Sequence, residues 1–548
     1  MPAQVRTAGG RSGLGRVGKL GLWLGAAISA AIIPLSACGG NPAQIVNYSP
    51  LRGSIDVSTA APVRISFDHD VDQASVARRL HLLPITPGTV RWSSGHELVF
   101  NHPILQTDTT YDVIIEAGYS DLAGNVYPLR HSWSFTTEAA PNLLSSTPAI
   151  DETGVDPAAY ITLNFTREMD PASLKSGLSF NPATPFDVRP DPTDGRRAII
   201  APSELLTPNT AYQLSIDTSA VDVDGNQLDL DQTIDFRTGD ARPLHHWITF
   251  AIDNADGSPG GLWIVNDSGF PRQLVGSTPV RSFTWSPSGN TLLAQGSGDT
   301  WSEVEPGVGS VALPFHATWA AALASGMGYV YIDLAGALHR QTAEGGDETI
   351  SADVVEAAVA PNGLRVAFIG LTSPTEIWGY DVGLRARYLL AQELTPVSSV
   401  VWAPAGNRIA YLRSDLQTTS LRVRNLSGSA TTTTVASGDI GSPAWMPDST
   451  HVVFAMPTTG PGGAGKHRAF VVNAVAPPAT ISPASGLPAD ASVDVQSPVP
   501  SPDGHQIAFL NGDQIWLMNA DGTRPTALTR LDPASFPYSC RTPAWTRT

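Results

Sequence analysis

Several places in this chain of 548 residues gather side chains able to do chemistry. Asp68-His69-Asp70-Val71-Asp72 and Asp222-Val223-Asp224-Gly225-Asn226-Gln227-Leu228-Asp229 both crowd oxygen ligands of the kind Ca²⁺ takes. In the second, glycine sits at the fourth place and no glutamate closes the loop, so the EF-hand spacing is absent. Gly225-Asn226, like Gly124-Asn125, reads instead as a hairpin turn that needs a positive φ. Gly460-Pro461-Gly462-Gly463-Ala464-Gly465-Lys466-His467 comes within one residue of the phosphate-cradling pattern GxxxxGK[ST]. There His467 stands where Mg²⁺ needs a hydroxyl, and Arg468-Ala469-Phe470-Val471-Val472-Asn473 reads as a strand, not as the helix whose N-terminus would face phosphate. A long hairpin loop is expected. His245 and His246 are adjacent, so on a strand they point to opposite faces and chelate poorly; they read as linker residues. Cys540 would need an activating histidine to act as a nucleophile, and no pattern around it supplies one, so it reads as a partly buried thiol. No catalytic residue, cofactor or metal ligand is assigned on these grounds.

Cys38 is different, because its surroundings prescribe a reaction. Residues 1–37 carry Arg6, Arg11, Arg16 and Lys19 and no acid, and an apolar run of about 16 residues follows over 20–35. That run is short for a membrane span, which needs roughly 20 residues, and Pro34 interrupts its end; an uncleaved anchor with an incidental cysteine is the alternative. Leu35-Ser36-Ala37-Cys38-Gly39 resembles a bacterial lipobox, in which a small-residue cleavage site precedes a cysteine that is diacylated and becomes the mature N-terminus. The resemblance implies a signal peptide over 1–37, lipidation at Cys38 and a location on the extracytoplasmic side of a cell membrane. Two or three acyl chains anchor stably where one does not, at about 0.8 kcal/mol per buried methylene.

Composition bounds the rest. Once Cys38 is acylated, Cys540 has no thiol partner, so the fold stands on its hydrophobic core without an intramolecular disulfide. The length predicts about three domains. Loss of the four basic residues with the signal takes the formal charge from −17 to −21, and a surface this acidic is repelled by nucleic acid and by anionic headgroups. Fifty glycines and 45 prolines exclude a helical protein and fit turn-rich all-β structure.

Elements able to position such residues are written in two repeats. Up to about residue 240 the chain repeats with an offset near one hundred residues, the length of a β-sandwich. Ser49-Pro50 answers Thr147-Pro148, Val63-Arg64-Ile65-Ser66-Phe67 answers Ile161-Thr162-Leu163-Asn164-Phe165, and Tyr111-Asp112-Val113-Ile114-Ile115 answers Tyr212-Gln213-Leu214-Ser215-Ile216. Gly124-Asn125 answers Gly225-Asn226, and Trp133-Ser134-Phe135-Thr136-Thr137 answers Ile234-Asp235-Phe236-Arg237-Thr238. The strands alternate apolar and polar residues, as one buried face requires. This set resembles the bacterial Ig-like domain of surface-layer and other envelope proteins, which implies two Ig-like domains, 44–139 and 140–240, acting as spacers or adhesive modules without catalytic residues.

From 243 to 548 a shorter repeat takes over: an apolar or aromatic pair, a proline, a polar turn, then a β-run. Phe283-Thr284-Trp285-Ser286-Pro287-Ser288-Gly289-Asn290 sets the pattern. It returns at Val359-Ala360-Pro361-Asn362-Gly363, Trp402-Ala403-Pro404-Ala405-Gly406, Trp445-Met446-Pro447-Asp448 and Pro500-Ser501-Pro502-Asp503-Gly504, with a degenerate copy at Trp319. Repeats of about 40 residues with four short strands read as propeller blades. The residues resemble the WD-like repeats of the TolB-type propeller family. Trp247-Ile248-Thr249-Phe250 lacks an opening motif, and Thr542-Pro543-Ala544-Trp545, which matches Ser442-Pro443-Ala444-Trp445, supplies it. A blade shared between the two ends leaves no free sheet edge. The count is then seven blades, or six if the Trp319 copy is not a full blade.

The fold class expected is thus all-β: two Ig-like sandwiches followed by a propeller. The leading functional expectation is a lipid-anchored envelope protein that is not an enzyme, an Ig-like stalk presenting a propeller for recognition of a protein or glycan partner. One rival is a lyase or hydrolase sited in the propeller channel, which needs convergent carboxylates, histidines or a metal; the inward strand starts are mostly Pro, Ala, Ser and Trp. Another is a Tol-like role in an envelope transport complex. Peptidases that join a similar propeller to a hydrolase domain would need a further domain beyond Thr548, and none is expected.

Overall fold

The computed structural model describes residues 40–547 except 277, 416–417, 429, 459–464, 479, 483–484, 491 and 530–537. Cys38 and the signal over 1–37 lie outside the described residues, as do Gly460 to Ala464 of the glycine-rich loop. Contacts divide the chain into two compact bodies: one holds most of the first sandwich, the other the second sandwich with the propeller.

In the first sandwich one sheet orders the strands Ile45–Ser49, Val63–Phe67, Glu97–Asn101 and Thr89–Trp92, and the other Leu80–Leu83, Thr110–Ile115 and His131–Thr136. Val63, Ile65 and Phe67 point inward while Arg64 faces solvent, so the alternation in sequence becomes the two faces of a strand. Trp133 is buried and donates its indole N–H to the Pro50 carbonyl at 2.8 Å. One helical turn, Gln73–Ala77, interrupts the strands; Asp72 starts it by accepting the amides of Ala74 and Ser75.

The second sandwich repeats this plan. Its sheets order Phe186–Pro190, Arg197–Pro202, Ile161–Phe165 and Leu143–Thr147 in one layer, and Leu178–Asn181, Ala211–Ile216, Gln232–Thr238 and Glu152–Val155 in the other. The helix Pro171–Gly177 is capped by Asp170, the counterpart of Asp72, with proline at its first position. Ile161, Leu163, Phe165, Leu214, Ile234 and Phe236 fill the space between layers.

Beyond residue 247 the chain forms antiparallel meanders of four strands, except the one opening at Ala444–Trp445, which has three among the described residues. The strands Ser539–Trp545, Ile248–Asp253, Pro259–Val265 and Arg272–Val275 make one sheet, in which Ile248 pairs with Trp545 and Ile252 with Cys540. The predicted sharing of one blade between the two ends of the propeller is therefore present. A seven-stranded sheet comes next, because Gly309–Ala322 serves as last strand of one meander and first strand of the following one. Its latter half holds Trp319, so the degenerate copy opens a meander of its own, continued by Tyr329–Asp333, Leu338–Gln341 and Asp347–Ser351. Further sheets begin at Val354–Val359, Val397–Trp402, Ala444–Trp445 and Gln496–Pro500.

Apolar cores join each sheet to the next around a closed circuit. Leu262, Val280 and Leu292 pack between the shared sheet and its successor, and Leu293, Trp301 and Tyr331 between the two halves of the long sheet. The circuit continues through Ile332 with Phe368, Ile369 with Tyr411, and Leu421 with Phe454. Val453 with Phe509 and Phe250 with Ile515 bring it back to the shared sheet. Motif tryptophans staple the inner strands: Trp402, Trp445 and Trp545 donate their indole N–H groups to the carbonyls of Ala358, Val401 and Val499, each on the preceding sheet.

Candidate functional site

The sequence motifs occupy one end of the propeller, and their polar residues lock turns. Asp503 accepts the Ser501 hydroxyl at 2.6 Å and the His505 amide at 3.0 Å. The Ser501 hydrogen bond first, with the amide and the nearby histidines, holds its carboxyl down to about 2. Asp521 accepts the amide and hydroxyl of Thr523 in the same manner. The polar turn that marks each repeat is thus a self-satisfied loop that ends one strand and aims the next.

The acidic stretches of the sandwiches are turns as well. Gly225 has φ +91° and its amide closes on the Asp222 carbonyl; Asn226 gives its backbone N–H and its side-chain amide to the two carboxylate oxygens of Asp222, at 2.8 and 2.9 Å. Gly124 and Asn125 repeat this around Asp121, at 2.8 and 2.7 Å. The Asn125 side chain leads in lowering the Asp121 pKa. Of the other stretch, Asp72 caps a helix, Asp68 pairs with His69 at 2.8 Å, and Asp70 with His96 at 3.0 Å. Among the described residues no three such groups converge as metal ligands would. Cys540 is buried beside the Thr529 hydroxyl, and burial pushes its thiol up to about 11, which leaves it protonated and unreactive. His246 adopts φ +57° and lies 3.9 Å from Asp503, and His467 opens a strand, His467–Asn473, as the loop reading of the glycine-rich segment requires.

The same end of the propeller receives the second sandwich, through a residue with no signal in the sequence. Arg272, on the outer strand of the shared sheet, is fully buried. Its guanidinium lies 4.0 Å from the Tyr160 ring centre and 5.5 Å from that of Trp247, and donates to the carbonyls of Ala158 and Ala159 at 2.8 and 3.0 Å. A planar cation with forked donors suits this site, since it stacks and bonds at once. Around it Tyr160 bonds Ser268 and Asn266, the Gln273 amide reaches the Ser203 carbonyl at 2.7 Å, and Leu205 joins the propeller core. Sandwich and propeller form one body at this joint.

In an antiparallel meander the two ends alternate, so the remaining loops emerge at the opposite end. There backbone hydrogen bonds carry the strand ladders on into the loops, and one of them links a sheet to the next. The amide of Val354 donates to Gly336, Leu371 to Asp353, Glu393 to Thr375, and Ser414 to Pro396, all within 3.2 Å. Nearer the axis the inner strands carry a bulge at Ser399, Ser497 and Thr542, each at positive φ and each three residues before its motif position. A non-glycine residue there costs about 1–2 kcal/mol. Two of the bulges are followed by Pro498 and Pro543, which have no N–H to satisfy; the third is followed by Val400. Glu356 of the preceding sheet supplies the missing acceptor, taking the amides of Ser399 and Val400 at 2.9 and 2.6 Å. This loop end, with Glu356 at its inner rim, is the candidate recognition face.

Comparison with known proteins places the sandwiches. Residues 40–137 and 138–238 each match the family model of the bacterial Ig-like domain. The chain is also similar to TolB from Acinetobacter baumannii, at 14% identity over 68% of this chain and 83% of that one, with a TM-score of 0.37. A putative TolB from Agrobacterium tumefaciens gives 17% identity over 51% and 88%, TM-score 0.32. An oligogalacturonate lyase from Vibrio parahaemolyticus gives 11% identity over 52% and 85%, TM-score 0.37.

Proposed function

We propose that this chain, two bacterial Ig-like domains joined to a propeller, is an envelope lipoprotein that acts by binding. In this reading Cys38 carries the lipid, the Ig-like domains form a stalk on the outer side of the membrane, and a propeller of seven blades offers a protein or glycan partner its free loop end. The observation that carries the reading is the buried Arg272 joint. It commits one end of the ring to the sandwich and leaves the other to a partner, with the described loops 334–337, 371–375 and 393–396 there already tied by backbone hydrogen bonds. The aspartates that lock turns support a role without catalysis, since their oxygens are already engaged.

The anchor is tested with Cys38→Ala. The wild-type chain should take up labelled palmitate and sediment with membranes, and the variant should do neither; label retained by the variant overturns the anchor. The binding role is tested by photo-cross-linking of the full chain in its own envelope, which should trap a defined polypeptide or glycan. Turnover of a glycan or peptide by the purified chain overturns the non-enzymatic role.

A further inference from the structure

Large apolar side chains crowd one sector of the free loop end. Leu334, Val355, Leu371 and Leu394 are 61, 55, 67 and 93% exposed. Leu334, Leu371 and Leu394 sit on the connections 334–337, 371–375 and 393–396, and Val355 at the start of the strand Val354–Val359. The hydrogen bonds from Val354 to Gly336, Leu371 to Asp353 and Glu393 to Thr375 join these segments, residues 334–337, 352–356, 371–376 and 393–396, into one ridge. A single exposed leucine needs no explanation, but a contiguous set on a tied, rigid ridge marks an interaction surface.

Charge selects the occupant. The four segments contain Asp353, Glu356, Glu376 and Glu393 and not one Lys, Arg or His. Glu393 is neutralised by Arg413 and Arg422. The other three are held only by neutral donors: Asp353 by the Thr372 amide, Glu356 by Ser399 and Val400, and Glu376 by the Trp378 indole. Aliphatic groups set among uncompensated carboxylates match a partner that brings aliphatic and cationic side chains together. A second copy of this acidic chain would be repelled, as would an anionic lipid surface, and the ring beside the ridge, Trp378, is half-buried with its indole N–H engaged by Glu376, a poor stacking platform for a sugar. We propose that the ridge over residues 334–396 docks a cationic, leucine-type amphipathic polypeptide segment. This rests on the binding role above and adds to it the face and the chemistry of the partner.

The test uses the full chain and two synthetic peptides, one alternating Leu and Lys and the other alternating Leu and Glu, with affinity read by fluorescence anisotropy. The wild type should bind the Leu-Lys peptide and not the Leu-Glu peptide. Leu371→Ser with Leu394→Ser should weaken binding at least tenfold. Both side chains are mostly in solvent, so the fold should be kept, which an unchanged melting curve verifies. Leu384→Ser, at a 78% exposed leucine in the 382–385 connection of the opposite end, should bind as the wild type does. Equal affinity in the double variant, an equal loss in Leu384→Ser, or equal binding of the Leu-Glu peptide overturns the assignment. So does capture of phosphatidylcholine vesicles that the double variant loses, which would make the ridge a lipid contact. If instead the binding role itself is wrong, the cross-linking experiment traps nothing; if only the face is wrong, a partner is trapped and the double variant keeps it.

Discussion

The indole N–H of Trp545 donates to the Val499 carbonyl at 3.0 Å, so the innermost strand of the shared blade is fastened to the blade before it. The same strand pairs with Ile248–Asp253 on its other side. Cutting the chain after Arg541 removes the Trp545 staple and the pairs of Ile248 and Thr249 with Trp545 and Ala544, and leaves only Ser539 to Arg541 on Ala251 to Asp253. Loss of a buried Trp costs about 3–5 kcal/mol, a large share of the roughly 5–15 kcal/mol that keeps a domain folded. The truncated propeller should unfold at much lower denaturant, followed by tryptophan fluorescence, or aggregate through the exposed edge. An unchanged propeller transition would show that the ring does not depend on this blade.

Removing the Arg272 side chain should loosen the joint. Each hydrogen bond from a charged donor contributes about 1.5–3 kcal/mol, and the carbonyls of Ala158 and Ala159 lose their donor in the variant. Arg272→Ala should therefore destabilise the second body by on the order of 3 kcal/mol and open residues 239–246 to limited proteolysis. Arg272→Lys should restore little of this, since an ammonium neither stacks nor forks. Proteolysis identical to wild type in both variants would count against the joint.

For the acidic turns, chelation is the discriminating treatment. With Asn226 filling both oxygens of Asp222, EDTA should leave the melting temperature nearly unchanged, whereas Asn226→Ala, which keeps the backbone donor but takes the side-chain amide from the other oxygen of this buried carboxylate, should cost about 1–3 kcal/mol. A drop of ten degrees or more on chelation, restored by Ca²⁺, would reveal a metal site in these turns.

Cys540 offers a titration with a definite sign. Its folded pKa is raised to about 11 by burial, so the neutral thiol contributes stability that is fully present below the unfolded value near 9 and is lost as pH rises toward 11. In the Cys38→Ala background it is the one thiol left. It should resist a thiol-specific reagent at pH 8 in the native protein and react fully in denaturant. Rapid native labelling would mean that the closing strand opens readily.

What the sequence makes legible follows from range. Alternating strands, Asp-x-x-Gly-Asn turns and the Thr-Pro-Ala-Trp closing motif are patterns a few residues long, and each is found in the fold where its local chemistry points. The two helical turns are less legible: Asp72 and Asp170 are sound N-caps, but only one or two turns follow, too few to carry an apolar period. Arg272 gives no signal at all, because its partners Ala158 and Tyr160 lie over a hundred positions earlier and no local pattern distinguishes a caged arginine from a solvated one. The ridge of exposed leucines is equally silent, since it gathers residues far apart in sequence through backbone hydrogen bonds that extend one blade's ladders and reach its neighbour at Gly336.

Trp247 and Thr546, 299 positions apart, meet in the shared blade. For a chain made from its N-terminus this imposes a schedule. Each sandwich can close once its own hundred or so residues have emerged, but the propeller's first strands have no final partner until nearly all of it has been made. Contacts this distant in sequence form slowly and leave strand edges open meanwhile. With the lipid proposed at Cys38, the waiting strands are tethered to the membrane, and the last step of maturation is a ring closing on a chain already held in place.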